Sequence, residues 1–210
     1  MLNGRKPVAL QSDDSGVALT EFALTLPLFL ILIMGGLEVT NLALVHLRLN
    51  HMAEATADNA SRVGSQMDEN DIAEIFAGLQ REGTSIDFAN KGDVVLSSVQ
   101  DNGETDSKKK GQTIRWQRCL GKKKTPPAYG KEGKGKSDNA LKNGIGPPGH
   151  QVAAQPGTAI MFAEVTYDYQ PMIFAEIFGS RQLRYESAFN VRERTELGIT
   201  NVRGKPVKSC

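Results

Sequence analysis

The chain is poor in the residues that build metal and catalytic centres. Of its 210 residues only three are histidine and two cysteine. His46, His51, His150, Cys119 and Cys210 are scattered without any zinc-ligand spacing, which excludes the usual protein zinc sites. No GxSxG, HExxH or Walker A motif is present. No histidine has a nucleophile and an acid beside it in sequence, so no catalytic residue is assigned. Neither an enzyme, a metal nor a cofactor is expected. The charges nearly balance: 25 Lys and Arg against 24 Asp and Glu leave a net charge of +1. The protein as a whole therefore has no electrostatic pull toward nucleic acid or acidic partners.

One stretch lacks charge almost completely. Between Phe22 and Leu47 the only charged residue is Glu38. A mean hydropathy of −0.33 hides this segregation, because the apolar residues concentrate near the N-terminus. From Phe22 through Val45 a helix would be about 36 Å long at ~1.5 Å per residue, enough to cross a hydrocarbon layer of ~30 Å. A buried core helix would show a polar face, and Phe22 to Leu37 shows almost none. A secretory signal has a shorter apolar stretch with small residues close behind. Here Ala53, Ala55 and Ala57 lie beyond Arg48, well past the apolar run. The expectation is a retained single membrane span.

Arg5 and Lys6 come before that span, then Asp13, Asp14, Ser15 and Gly16. After Gly16 the chain reads Val17, Ala18, Leu19, Thr20, Glu21, Phe22: four mostly apolar residues, an acid and an aromatic, followed by the apolar run. This resembles the leader pattern of the Flp/Tad pilins and pseudopilins, and the chain resembles the TadE-like minor pilins of Tad pilus machines. The resemblance implies cleavage between Gly16 and Val17 by a prepilin peptidase. It also implies a role for Glu21 in pairing with a neighbouring subunit's N-terminal amine. Without such a role, Glu21 sits solvated among lipid headgroups, where an acid costs little. The resemblance covers roughly residues 16–62 and, more loosely, residues 159–196, where Val165 to Pro171 is similar to a strand-then-proline ending. Positive charges flank the span on both sides, with Arg48 and Arg62 beyond it, so they do not orient it. The resemblance places the N-terminus in the cytoplasm and the rest outside the inner membrane.

Pro27 removes a backbone hydrogen bond, so a kink or local melting is expected there. Gly35 and Gly36, with Thr40 and Ala43, offer a small-residue surface to another helix. Glu38 either lies at the far interface or pairs inside the membrane.

One long helix is predicted from about Val17 to Val63, followed by a shorter one over Asp68 to Gln80. The shorter helix has Ile72, Ile75, Phe76 and Leu79 on one face and an imperfect capping box at Asp68 and Asp71. Strands are predicted at Val94 to Leu96, Thr113 to Leu120, Ala159 to Tyr169 and Leu183 to Arg194. Ile114 and Trp116 are expected on one face. Arg184, Glu186, Arg192 and Arg194 are expected outward. The apolar run Met172 to Phe178 is either a plug at the sheet end or an exposed patch for a partner.

Between Asp106 and Lys142 lysines are dense, and glycine and proline are interspersed. This composition predicts a mobile, solvated loop over about 120–156. Its alternative is a polyanion-binding surface, but with few aromatics nearby neither nucleic acid nor another polyanion is expected as a partner. In an exported domain Cys119 and Cys210 are a natural disulfide pair, which would close a loop of roughly 90 residues. Intermolecular bonding through Cys210 is the alternative.

The expected architecture is α+β, a pilin-like stem helix packed on a small antiparallel sheet. Residues 1–16 form a leader, 17–47 a transmembrane helix and 48–210 an extracytoplasmic domain. The function implied is that of a minor pilin or pseudopilin that helps initiate or assemble a pilus. Its partners would be the inner membrane, prepilin peptidase, other pilins and Tad assembly platform proteins. The rivals are a membrane-anchored adhesin or polyanion binder, and an exported enzyme on a tether.

Overall fold

The computed structural model describes residues 15–173, 175–192 and 194–210; Arg5, Lys6, Asp13 and Asp14 of the expected leader lie outside them. The helix α1 runs Ser15–Arg62. Two compact units share it, one ending at Asn41 and the other comprising Leu42–Cys210.

The second unit is α+β. After α1 come β1 (Gln66–Asp68), α2 (Glu69–Glu82), a 3-10 turn (Gly83–Ile86) and α3 (Phe88–Lys91). Then follow β2 (Gly92–Asp101), β3 (Gln112–Gly121), β4 (Ala159–Tyr169), α4 (Ala175–Phe178), β5 (Arg181–Asn190) and β6 (Glu196–Thr200). Four of the strands form an antiparallel sheet in the order β3-β2-β4-β5, while β1 and β6 pair in parallel as a separate ribbon. That ribbon was not anticipated, since β1 has only three residues and β6 follows a charged stretch.

Helices cover one sheet face because alternate strand residues point there. Leu49, Met52, Ala53, Ala57 and Ala60 of α1 join Ile72 and Phe76 of α2 in the main core. Leu96, Met161, Ala163 and Val165 meet them from the sheet. The capping box at α2 is complete: Asp68 Oδ1 accepts from the Asn70 N–H at 2.9 Å, and Asp71 Oδ2 accepts from the Asp68 N–H at 2.8 Å.

The second face carries its own core of Val99, Ile114, Ile160 and Phe162 with Leu141, Ile145 and Ala154. The last three belong to the basic insertion, so the expectation of a wholly solvated loop needs correction. Its residues form turns and a single bridge between Ile145 and Val152, yet three apolar side chains reach the sheet. Ile114 and Trp116 also fall on opposite faces, not together. Ser98 pairs with Trp116 and Val99 with Ile114, which leaves Arg115 as an extra bulged residue. A one-residue bulge turns the following side chains over. Arg194 is another correction. It is buried rather than outward and donates to the Ala60 carbonyl at 3.1 Å, capping the end of α1.

Pairing of Cys119 with Cys210 is present, across a sequence separation of 91. The Cys119 N–H also donates to the Lys208 carbonyl at 2.7 Å, which holds the tail along the β3 edge. Reduction, or Cys210→Ser, should lower stability to urea by up to about 4–5 kcal/mol on the chain-entropy account. It should also speed amide exchange at Cys119, as hydrogen-exchange mass spectrometry would read.

Candidate functional site

The first unit has one dominant property. Fourteen large apolar residues from Val17 to Val39 are exposed, among them Leu24 at 80% and Leu19 at 72%. None of the most apolar window of the helix is buried. Contiguous apolar surface on this scale is not kept in water. Taking these side chains out of water is worth on the order of 10 kcal/mol or more.

The backbone groups and threonine hydroxyls of the same helix are internally satisfied. An α-helix pairs its own backbone amides and carbonyls, the condition for lying in lipid. The hydroxyls follow suit: Thr20 donates to the Val17 carbonyl at 2.8 Å, Thr25 to the Glu21 carbonyl at 2.9 Å and Thr40 to the Gly36 carbonyl at 2.8 Å.

The residues singled out in the sequence all lie on α1 except the cysteines. Gly16 is its second residue, and Val17, Glu21 and Phe22 are exposed on its first two turns. Pro27 lies inside an unbroken helix, so no local melting occurs. A Cβ added at Gly35 or Gly36 would meet nothing within 4 Å. Nothing in the chain's own packing therefore requires glycine there. Glu38 is 5% exposed, in contrast to its apolar neighbours Leu37 and Val39.

The long unsheltered apolar helix that leads into the disulfide-closed α+β domain is, among the described residues, the one candidate membrane span. Residues 16–58 match the model of the TadE-like protein family. The match begins at Gly16 and ends within α1, short of the sheet. Neither a curated protein nor a solved structure matches the chain.

The sequence did not reveal a chain of polar contacts that fastens the insertion to the sheet. Asp93 on β2 is buried and accepts the N–H groups of Lys123, Lys124 and Thr125 at 3.2, 3.3 and 2.8 Å. Glu164 on β4 accepts from the Ala128 N–H at 3.0 Å and from Arg184. Tyr129 donates to both Glu186 oxygens, at 2.9 and 2.8 Å, with the Arg184 guanidinium 5.5 Å from its ring centre. Arg118 on β3 ties Glu69 of α2, at 2.5 Å, to Glu132 of the insertion, at 3.3 Å. Burial raises the Glu164 carboxyl above the usual carboxylate range, against the Ala128 amide and Arg184, which lower it.

These groups are consumed in holding the loop and leave no nucleophile beside a base. Among the described residues, no group of three or more His, Cys, Asp or Glu side chains could hold a metal ion. Cross-strand pairing supplies a signal that could have hinted at the cluster, since Glu164 stands directly opposite Glu186. Two facing acids need a cation and donors between them.

The Tyr129 phenol is pushed above its ordinary value by burial first and then by its bond to Glu186. The folded chain thus keeps this proton where the unfolded chain has lost it. Its contribution is fully present below about pH 10 and is lost as pH rises through the folded value. Tyr129→Phe should flatten that alkaline decline and cost about 1.5–3 kcal/mol at neutral pH, the worth of a hydrogen bond to a charged group. Urea titrations at pH 7 to 11 would measure both effects.

Proposed function

We propose that this protein is a minor pilin or pseudopilin of a Tad-type pilus, inserted through α1 and cut between Gly16 and Val17. The observation that carries the reading is the exposed apolar helix whose TadE-like match begins at Gly16. Cleavage would create an α-amino group on Val17, five residues' span from the exposed Glu21 carboxylate. In a bundle of such helices that carboxylate pairs with the amine of a neighbour, since a lone acid in lipid costs ~2.5–3.5 kcal/mol at a helix centre. Gly35 and Gly36 let neighbouring helices approach closely, a role consistent with the open space beside both. In this reading the N-terminus faces the cytoplasm, the domain faces outward from the inner membrane, and the partners are prepilin peptidase, other pilins and the assembly platform.

N-terminal sequencing of the membrane-extracted protein, with and without the pilus peptidase, tests the reading. The expected mature N-terminus is Val17 when the peptidase is present, and Gly16→Val should abolish its appearance. Retention of residues 1–16 despite active peptidase would instead support a simple membrane anchor. Glu21→Ala should still be processed, but should lower its recovery in pilus preparations at least several-fold.

A further inference from the structure

The lysines of the insertion lie in two groups far apart in sequence, around Lys109 and around Lys136, and the fold joins them through Asn102. The Asn102 Nδ2 donates to the Lys109 carbonyl at 2.8 Å and the Gly135 carbonyl at 2.9 Å, with the Asp138 carbonyl at 3.5 Å. Its Oδ1 accepts the Gly111 N–H at 3.2 Å. The Gln112 N–H donates to the Leu141 carbonyl at 3.0 Å, which brings Lys142 beside the same turn. The Ile114 N–H donates to the Lys134 carbonyl, also at 3.0 Å, so Lys134 borders the bulged Arg115.

Lys108, Lys109, Lys110, Lys134, Lys136 and Lys142 are thereby collected on one end of the domain, all exposed. Among the described residues none of the six forms an ion pair, whereas Glu132, the acid nearest Lys134 in sequence, is spent on Arg118. Arg115 and Lys131, also exposed, extend the surface. Asp101, Glu104, Asp106 and Asp138 are interspersed, so the positive charge is spread thinly.

The position of this surface bears on its partner. The α1 helix enters the second unit at Leu42 and finishes at Arg62, a run of about 30 Å at ~1.5 Å per residue. Arg194 bonds Ala60 near that finish, and the Val191 N–H bonds the Ala159 carbonyl at the matching sheet end. Asp101 and Gln112 lie one pair beyond Ala159 in the same ladders. The lysines are therefore at the end of the domain opposite Leu42, away from the residue through which the apolar segment joins it.

Composition alone gave no polyanion as a partner, but the fold gathers lysines that the sequence separates, and we infer that this end of the domain binds an acidic polysaccharide, a chain carrying about one carboxylate per sugar. Lysine ammonium groups meet carboxylates as point charges and need no planar fork. Duplex DNA presents one charge per ~1.7 Å of axis, a density that the four interspersed acids oppose. Single-stranded nucleic acid needs exposed aromatic platforms, but Trp116 is buried and Tyr129 is engaged with Glu186. The surface exists whether or not the chain is a pilin, while the choice of an external polysaccharide rests on the exported position proposed above.

The test uses the full chain in nanodiscs of zwitterionic lipid, with fluorescent polygalacturonate as the probe. Neutral dextran and a duplex DNA of equal charge number serve as comparators. Binding to polygalacturonate should fall steeply between 50 and 200 mM salt. The triple variants K108Q/K109Q/K110Q and K134Q/K136Q/K142Q should each weaken it by ~10-fold or more. K91Q/K122Q/R181Q removes the same charge from the opposite sheet end and should change it less than about twofold. Absence of binding, equal losses in all three variants, or tighter binding to duplex DNA would each overturn the inference. None of those results touches the N-terminal processing test.

Discussion

A helix that leaves its large apolar side chains uncovered for roughly six turns constrains everything else in this protein. Its backbone is internally paired and its threonine hydroxyls are returned to carbonyls one turn back. The remaining requirement is an apolar surrounding, such as lipid. The same α1 then changes character along its length. Up to Val39 its large apolar side chains are exposed, whereas Val45, Leu49, Met52, Ala53, Ala57 and Ala60 form the inner wall of a globular core.

The globular unit solves a second problem, a sheet with two apolar faces. One face is covered by α1 and α2. The other is covered by the Lys/Gly-rich insertion. That segment buries little apolar surface of its own, so it is held by discrete polar contacts from Asp93, Glu164, Glu186 and Arg118. Cys119–Cys210 and the Lys208 carbonyl secure the β3 edge in the same region. An extracytoplasmic setting, where disulfides persist, suits this economy.

The stem and the sheet were legible because both rest on periodicity. Uninterrupted apolar residues announce α1, and alternation over Ala159 to Tyr169 announces β4. The capping box at Asp68 was also readable, since its spacing is local. What escaped were features that depend on long-range pairing. The bulge at Arg115 reverses the face of Ile114 without leaving a mark in the local alternation. Arg194 reads as an outward charge until the end of α1 is placed beside it. The insertion reads as solvated by composition, and only the sheet's second apolar face, which Ile160 and Phe162 present, reveals why Leu141, Ile145 and Ala154 are there. Of the candidate site, Gly16, Val17, Glu21 and Phe22 were singled out from a leader pattern alone, and the fold adds only their exposure on one helix.

The central claim is that the N-terminal part of α1 resides in lipid. Labelling by a carbene generated within the bilayer, with the tagged peptides mapped by mass spectrometry, addresses it most directly. The account predicts labels concentrated between Val17 and Val39 and absent from the sheet, in protein that stays with the membrane after alkaline washing. Release of the intact chain into the wash, with α1 unlabelled, would contradict it.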